Sequence, residues 1–144
     1  MMKLKLAIVL CVFFVCCASK EWWFCESNKH YEFDVSSVTL KPNPPKIGDN
    51  LNYIISGSLS RQVTDGTLNL QTYFNNMLIF NITENLCSDP DNFPCPSGPG
   101  LTTLKNSFSI PSFIPPGNYT GLINLKDQDK KEILCLNYAM NLQK

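Results

Sequence analysis

The sequence has a single histidine, His30, and no excess charge of either sign, since twelve Lys and Arg balance twelve Asp and Glu over 144 residues. No basic stripe is present, so nucleic acid is not an expected partner. One histidine and the lack of any CxxC pair argue against a zinc site. There is no Gly-x-Ser-x-Gly nucleophile motif and no phosphate-binding loop. Asp89-Pro90-Asp91 lacks the alternating oxygen ligands of an EF-hand loop, and Glu26, Glu32 and Asp34 are scattered as solvated charges are. The expectation is a chain that is not an enzyme and that uses no metal and no cofactor, with His30 a surface residue. Also missing are an internal repeat, a low-complexity tract and any sustained helical period with caps.

What is present starts with Lys3 and Lys5 ahead of an apolar run of thirteen residues, Leu6 to Ala18. That run is short for a bilayer core of ~30 Å, which takes roughly 20 residues, and it fits the h-region of a signal peptide cleaved after Ala18 or Ser19. The expected organisation is a signal peptide over 1–19 and one folded domain over 20–144. Cleavage removes Cys11, Cys16 and Cys17 and leaves Cys25, Cys87, Cys95 and Cys135. An even number of cysteines in a short exported chain reads as a disulfide framework. Ten basic residues then face twelve acidic ones, a net charge of −2. The sequons Asn81-Ile82-Thr83 and Asn118-Tyr119-Thr120 suit the same compartment and mark Asn81 and Asn118 as candidate glycosylation sites. The destination expected is the secretory pathway, ending outside the cell or in the endosomal or lysosomal lumen.

After the leader, strand signals dominate. Leu51, Tyr53, Ile55 and Leu59 alternate with polar residues, and Leu68, Leu70 and Phe74 share one face opposite Thr67, Asn69 and Gln71. Met77 to Ile82 is apolar on both faces, and Asn75-Asn76 before it can turn the chain or bulge it. Phe33 and Val35 share one parity and Val38 and Leu40 the other, which suggests a β-bulge near Ser36-Ser37. Prolines make irregular stretches of 41–46 and 88–100. A strand reading over Leu101 to Phe113 is broken at Pro111, and Tyr119–Leu125 and Ile133–Leu142 form a closing pair around a charged tip, Asp127–Lys131. Seven or eight short strands with frequent turns predict an all-β sandwich of two antiparallel sheets. A Cys87–Cys95 bridge would pin one irregular loop and a Cys25–Cys135 bridge would tie the first strand to the last, but spacing alone does not choose among the three pairings.

Several segments in order carry a resemblance: Cys25, the Pro-rich loop followed by Gly48-Asp49, LNYIISGSLS, Asp65-Gly66, ENLC, PCPSGPG, SIPSFIPPGNYTG and ILCLNYAMNL. The chain resembles the MD-2-related lipid-recognition (ML) family across its whole mature length, with phosphatidylglycerol/phosphatidylinositol transfer proteins nearest and Niemann-Pick C2-type sterol carriers next. The resemblance implies an immunoglobulin-like β-sandwich with a hydrophobic cavity between its sheets. It also supports the pairing Cys25–Cys135 with Cys87–Cys95. The 41–46 loop lacks the cysteines of a third bridge that some members have there.

A carrier must bury its lipid's apolar part, since each exposed methylene costs about 0.8 kcal/mol. The cavity liners expected are Tyr53, Ile55, Leu68, Leu70, Phe74, Met77, Ile79, Phe108, Ile110 and Leu122. The resemblance puts the mouth between the strand before Cys87 and the loop after Phe108, with Met77, Ile79, Ile110, Phe113 and Ile114 near it. Phe113-Ile114-Pro115-Pro116 is apolar for a loop, which suits contact with a membrane. The partners implied are a phospholipid or sterol ligand and, transiently, a membrane, for a monomer. The competing reading is a secreted adhesion or protein-recognition sandwich with tightly packed sheets and no lipid cavity.

Overall fold

A computed structural model describes residues 21–144, so the expected signal peptide over 1–19 lies outside the described residues. Eight strands follow in chain order: β1 (Trp22–Phe24), β2 (Phe33–Lys41), β3 (Asn50–Leu59), β4 (Gly66–Phe74), β5 (Met77–Asn85), β6 (Gly100–Ser109), β7 (Gly117–Asp127) and β8 (Glu132–Leu142). They form two antiparallel sheets, a five-stranded one in the order β1-β8-β7-β4-β5 and a three-stranded one in the order β2-β3-β6. The all-β sandwich expected from the alternating pattern is the fold found. β6 ends at Ser109, before Pro111, and the segment through Phe113 is loop.

Local chemistry sets the turns and the register. Asn75 and Asn76 both have positive φ, 49° and 63°, and link β4 to β5 as a two-residue hairpin turn. The β2–β3 register shifts between Val35 and Ser37, at the expected bulge. Gly57 lies opposite it, where a Cβ would come within 2.1 Å of the Asp34 carbonyl oxygen, so only glycine lets the strands approach there. The bulge has a structural consequence. It turns Val38 and Leu40 to the same inner face as Phe33 and Val35, where an unbroken period of two would have placed Ser37 and Thr39.

The main core lies between the sheets, with Phe33, Ile55, Leu59, Leu104, Leu125, Ile133 and Leu134 at most 1% exposed. Phe93 joins it from the loop that the Cys87–Cys95 disulfide closes, and Cys25–Cys135 joins the β1 end to β8. Both bridges are those the family resemblance supports. By the chain-entropy estimate, a loop as long as that of Cys25–Cys135 is worth about 4.7 kcal/mol.

Candidate functional site: an apolar gap between the sheets

A cavity of about 60 Å³ separates the two sheets toward the end where β2, β4 and β6 finish. One wall is the five-stranded sheet, which contributes Trp22, Leu70, Thr72, Ile123, Tyr138 and Met140. The other is the three-stranded sheet, with Val38, Leu40, Leu51, Tyr53 and Phe108. Among the described residues Glu21 is the one charged member of the lining, and it is exposed at the rim. Trp22, Val38 and Leu40 are half-buried beside it, so the gap approaches solvent on the side where β1 stands over β2. On the opposite side the Phe80 and Phe108 rings meet edge-on, 5.5 Å apart, and Asn106 Nδ2 donates to Glu84 Oε2 at 3.3 Å.

The polar groups in this apolar wall are paired. Tyr138 Oη lies 2.6 Å from Thr72 Oγ1 and donates to the Gln71 carbonyl oxygen at 3.0 Å. Burial pushes the Tyr138 phenol up to about 12, against the opposing pull of the Thr72 hydroxyl. Burial also raises the Tyr53 phenol well above the usual tyrosine range, opposed by a hydrogen bond with Asn106. Gly121 makes room for the Tyr138 ring: a Cβ there would lie 2.1 Å from Tyr138 Cζ.

Of the residues expected from the sequence to touch a ligand, Tyr53, Leu70 and Phe108 line this cavity. Leu68 is in the main core and borders a smaller hollow of about 20 Å³ on the β5–β6 side, which shares Tyr53, Leu70 and Phe108 with the larger one. Ile55 is wholly buried core. Phe74, Ile79, Ile110 and Ile114 belong to a second cluster around Leu51, Tyr119 and Leu142, which borders the gap through Leu40, Phe108 and Met140. Met77 and Phe113 are at that same end and are 66% and 84% exposed. Leu122 is a correction: it lies on the outer face of the five-stranded sheet with Asn69, Gln71 and Asn124, and its neighbour Ile123 is the inward residue. The alternation in β7 allowed either parity, and Tyr119 and Leu125, both buried, show which applies. Trp22, Val38, Leu40, Leu51, Thr72, Tyr138 and Met140 are liners that the sequence reading missed. The bulge was the available signal for Val38 and Leu40; the pairing of Trp22 with Tyr138 had none.

Among the described residues no group of three or more His, Cys, Asp or Glu is placed to hold a metal ion. His30 is exposed, as are the candidate glycosylation sites Asn81 and Asn118.

Two antiparallel sheets that leave an apolar, nearly uncharged gap between them define a small β-sandwich of the cavity-bearing kind. Comparison with known proteins narrows this. The family model for the ML domain matches residues 19–142. The phosphatidylglycerol/phosphatidylinositol transfer protein of Aspergillus oryzae is 32% identical over 123 residues, covering 83% of this chain and 70% of that protein. A Niemann-Pick type C2 protein from the Japanese carpenter ant superposes with a TM-score of 0.66 at 12% identity, over 84% of this chain and 99% of that one. Chicken MD-1, solved in complex with lipid IVa, superposes at 0.57 with 13% identity, over 87% and 94%. The chain belongs to the ML-domain family.

Proposed function

We propose that this protein is a secreted, monomeric, non-catalytic lipid carrier, which holds the apolar part of a phospholipid or sterol between its sheets and exchanges it with membranes. The observation that carries the reading is the gap itself, walled by apolar side chains of both sheets with one carboxylate at the rim. A sandwich built only for adhesion has no reason to leave its sheets unpacked there, because interiors are otherwise close-packed. The name of the Aspergillus relative favours phosphatidylglycerol or phosphatidylinositol as cargo.

The gap of about 60 Å³ is small beside the ~300–1,000 Å³ of ordinary ligand sites. Loading therefore requires the walls to part. The half-buried side chains Trp22, Leu40, Phe108 and Met140 are the ones with somewhere to go, and methionine adapts at little cost. The residues expected to touch ligand, Tyr53, Leu70 and Phe108, form the wall between the two hollows, so a lipid tail running through both would pass over them.

The test is gentle organic extraction of the purified secreted protein followed by mass spectrometry, with fluorescent phospholipid uptake in parallel. A near-stoichiometric phospholipid or sterol is the expected result and names the cargo. A protein that yields no lipid and takes none up refutes the carrier reading. Val38→Phe, which fills the rim of the gap, is expected to abolish uptake while leaving the denaturation midpoint unchanged or raised.

A further inference from the structure

Among the described residues, the large sheet has a strand edge that no other segment covers. The edge strands are β1 and β5 in one sheet and β2 and β6 in the other. A free edge offers unpaired backbone groups to another chain, so folded proteins shorten it, charge it, bulge it or cover it. β1 has only three residues. β2 carries Asp34 and the bulge after Val35. β6 carries Lys105, whose N–H is taken by the Asn92 carbonyl of the disulfide-closed loop at 2.8 Å. β5 is different. It is nine residues long and has no charge or proline from Met77 to Thr83. Its register with β4 steps from Thr72–Phe80 to Tyr73–Leu78, so Ile79 is an extra residue that disturbs only the first part of the strand. Phe80 to Thr83 remains a regular, β-prone, uncharged edge, the kind of segment that pairs between chains.

Asn81 sits in the middle of that stretch, exposed on the outer face. Its Oδ1 accepts from Asn69 Nδ2 at 2.9 Å, and the same Nδ2 reaches Thr83 Oγ1 at 2.9 Å. The Asn81 carbonyl oxygen is thus turned toward β4, and its amide nitrogen is left for a substituent. We infer that Asn81 carries an N-linked glycan that caps the free edge of β5 and keeps two copies of this chain from pairing there. The inference rests on export through a glycosylating compartment. In the transfer, the anomeric carbon of a lipid-diphosphate-linked oligosaccharide forms a bond to Asn81 Nδ2. Its bond to the diphosphate oxygen breaks, the lipid diphosphate leaves, and the amide gives up one proton. A hydrated oligosaccharide is much wider than the ~4.8 Å between paired strands, so a second strand cannot approach beside residue 81. Asn118 supplies the internal control: it too is an exposed sequon asparagine on the outer face, bonded to Asn141 at 2.7 Å, but it lies at the start of an interior strand, β7, which β8 pairs at Asn118 itself and β4 pairs from Tyr119 onward.

The test uses the full chain secreted from a eukaryotic host. Intact mass with and without peptide-N-glycosidase F reads occupancy, and size exclusion with light scattering over a concentration series reads association. The expected result is an occupied Asn81, a monodisperse parent, several-fold more dimer and aggregate for both Asn81→Gln and Thr83→Ala, and none for Asn118→Gln. Asn81→Lys, which places a charge on the edge without a glycan, is expected to restore the monomer. An unoccupied Asn81 overturns the inference, as does an Asn81→Gln protein as monodisperse as the parent. Association of Asn81→Lys or Asn118→Gln equal to that of Asn81→Gln overturns it too, because the glycan would then be serving folding in general and not the edge. Lipid extracted from the monomeric parent is unaffected by any of these outcomes, so failure here is separable from failure of the carrier reading.

Discussion

Gly121 and Tyr138 act as a pair. They face each other across β7 and β8 in register, and the glycine's missing side chain is what lets the ring lie flat over the neighbouring strand and reach the Gln71 carbonyl. Gly121→Ala would bring a methyl group to within 2.1 Å of the ring and 2.3 Å of that carbonyl oxygen. Overpacking of this kind costs about 1–3 kcal/mol, so a clear fall in the urea midpoint is expected, together with weakened lipid uptake as Tyr138 is forced into the gap. Tyr138→Phe should be milder, about 1 kcal/mol, because it removes hydrogen bonds without adding volume. Equal midpoints for Gly121→Ala and the parent would show that Tyr138 yields freely, and the cavity wall would then be softer than its packing implies. The raised Tyr138 pKa adds a sign. The folded state holds the phenol proton more tightly than the unfolded chain does, so this contribution is whole below the ordinary tyrosine range and is lost as pH rises toward 12.

The hairpin of β7 and β8 is fastened to the small sheet by charge. Lys131 Nζ lies 2.6 Å from Glu32 Oε1, beside the start of β2, and the Ser60 hydroxyl donates to the other carboxylate oxygen. Lys131 first and Ser60 second hold the Glu32 carboxyl below the usual carboxylate range. A depressed folded-state pKa stabilises above the unfolded value and is lost as pH falls through the folded one. The ion pair is exposed, so the effect is modest and weakens with salt. Lys131→Met is expected to move the Glu32 titration, followed by side-chain carboxyl NMR, back up toward the ordinary value, and to flatten the acid limb of the stability profile. A Glu32 titration unmoved by the substitution would exclude Lys131 as its cause. At this scale the sequence was readable wherever polarity alternates: β3 and β4 follow their residues, the Asn75-Asn76 turn and the β2 bulge were visible as changes of phase, and the bridge pairing came from family resemblance. Inward and outward were ambiguous where both faces are apolar or parity alone decides. That is how Leu122 enters the expected lining where Ile123 is the inward residue; the mouth beside Ile79, Ile110 and Ile114 comes from the family resemblance and not from parity. Which strand edges face each other depends on the stacking of the two sheets, and no local pattern encodes it, so Trp22 and Met140 could not be found.

The whole molecule is polar from end to end. The end closed by Ile110, Tyr119 and Leu142 exposes Met77, Leu78 and Phe113. The segments that meet there carry Lys41, Lys46 and Lys144 along with Asp49, and Glu21 stands at the rim of the gap nearby; Ile47 N–H donates to the Gln143 carbonyl and Ile110 N–H to that of Asp49. At the other end are the Asp127–Lys131 hairpin tip and the ion pairs of Arg61 with Asp127 and Asp129. A chain with twelve basic and twelve acidic residues can therefore still turn a lysine-bearing, apolar end toward a bilayer. Each lysine near an anionic surface contributes about 1 kcal/mol, and an exposed phenylalanine gains about 1.5–3 kcal/mol when fully buried. If this end docks, lipid exchange between vesicles should rise with their phosphatidylglycerol content and fall with salt. Phe113→Asp should slow exchange on every vesicle without lowering the denaturation midpoint, since the side chain has little burial to lose. Lys41→Glu with Lys46→Glu should remove the dependence on anionic lipid while sparing exchange between neutral vesicles. Rates indifferent to both changes would mean that the lipid leaves by the β1–β2 side with that flank against the membrane, and Glu21, the one charged residue lining the gap among those described, would then face the headgroups.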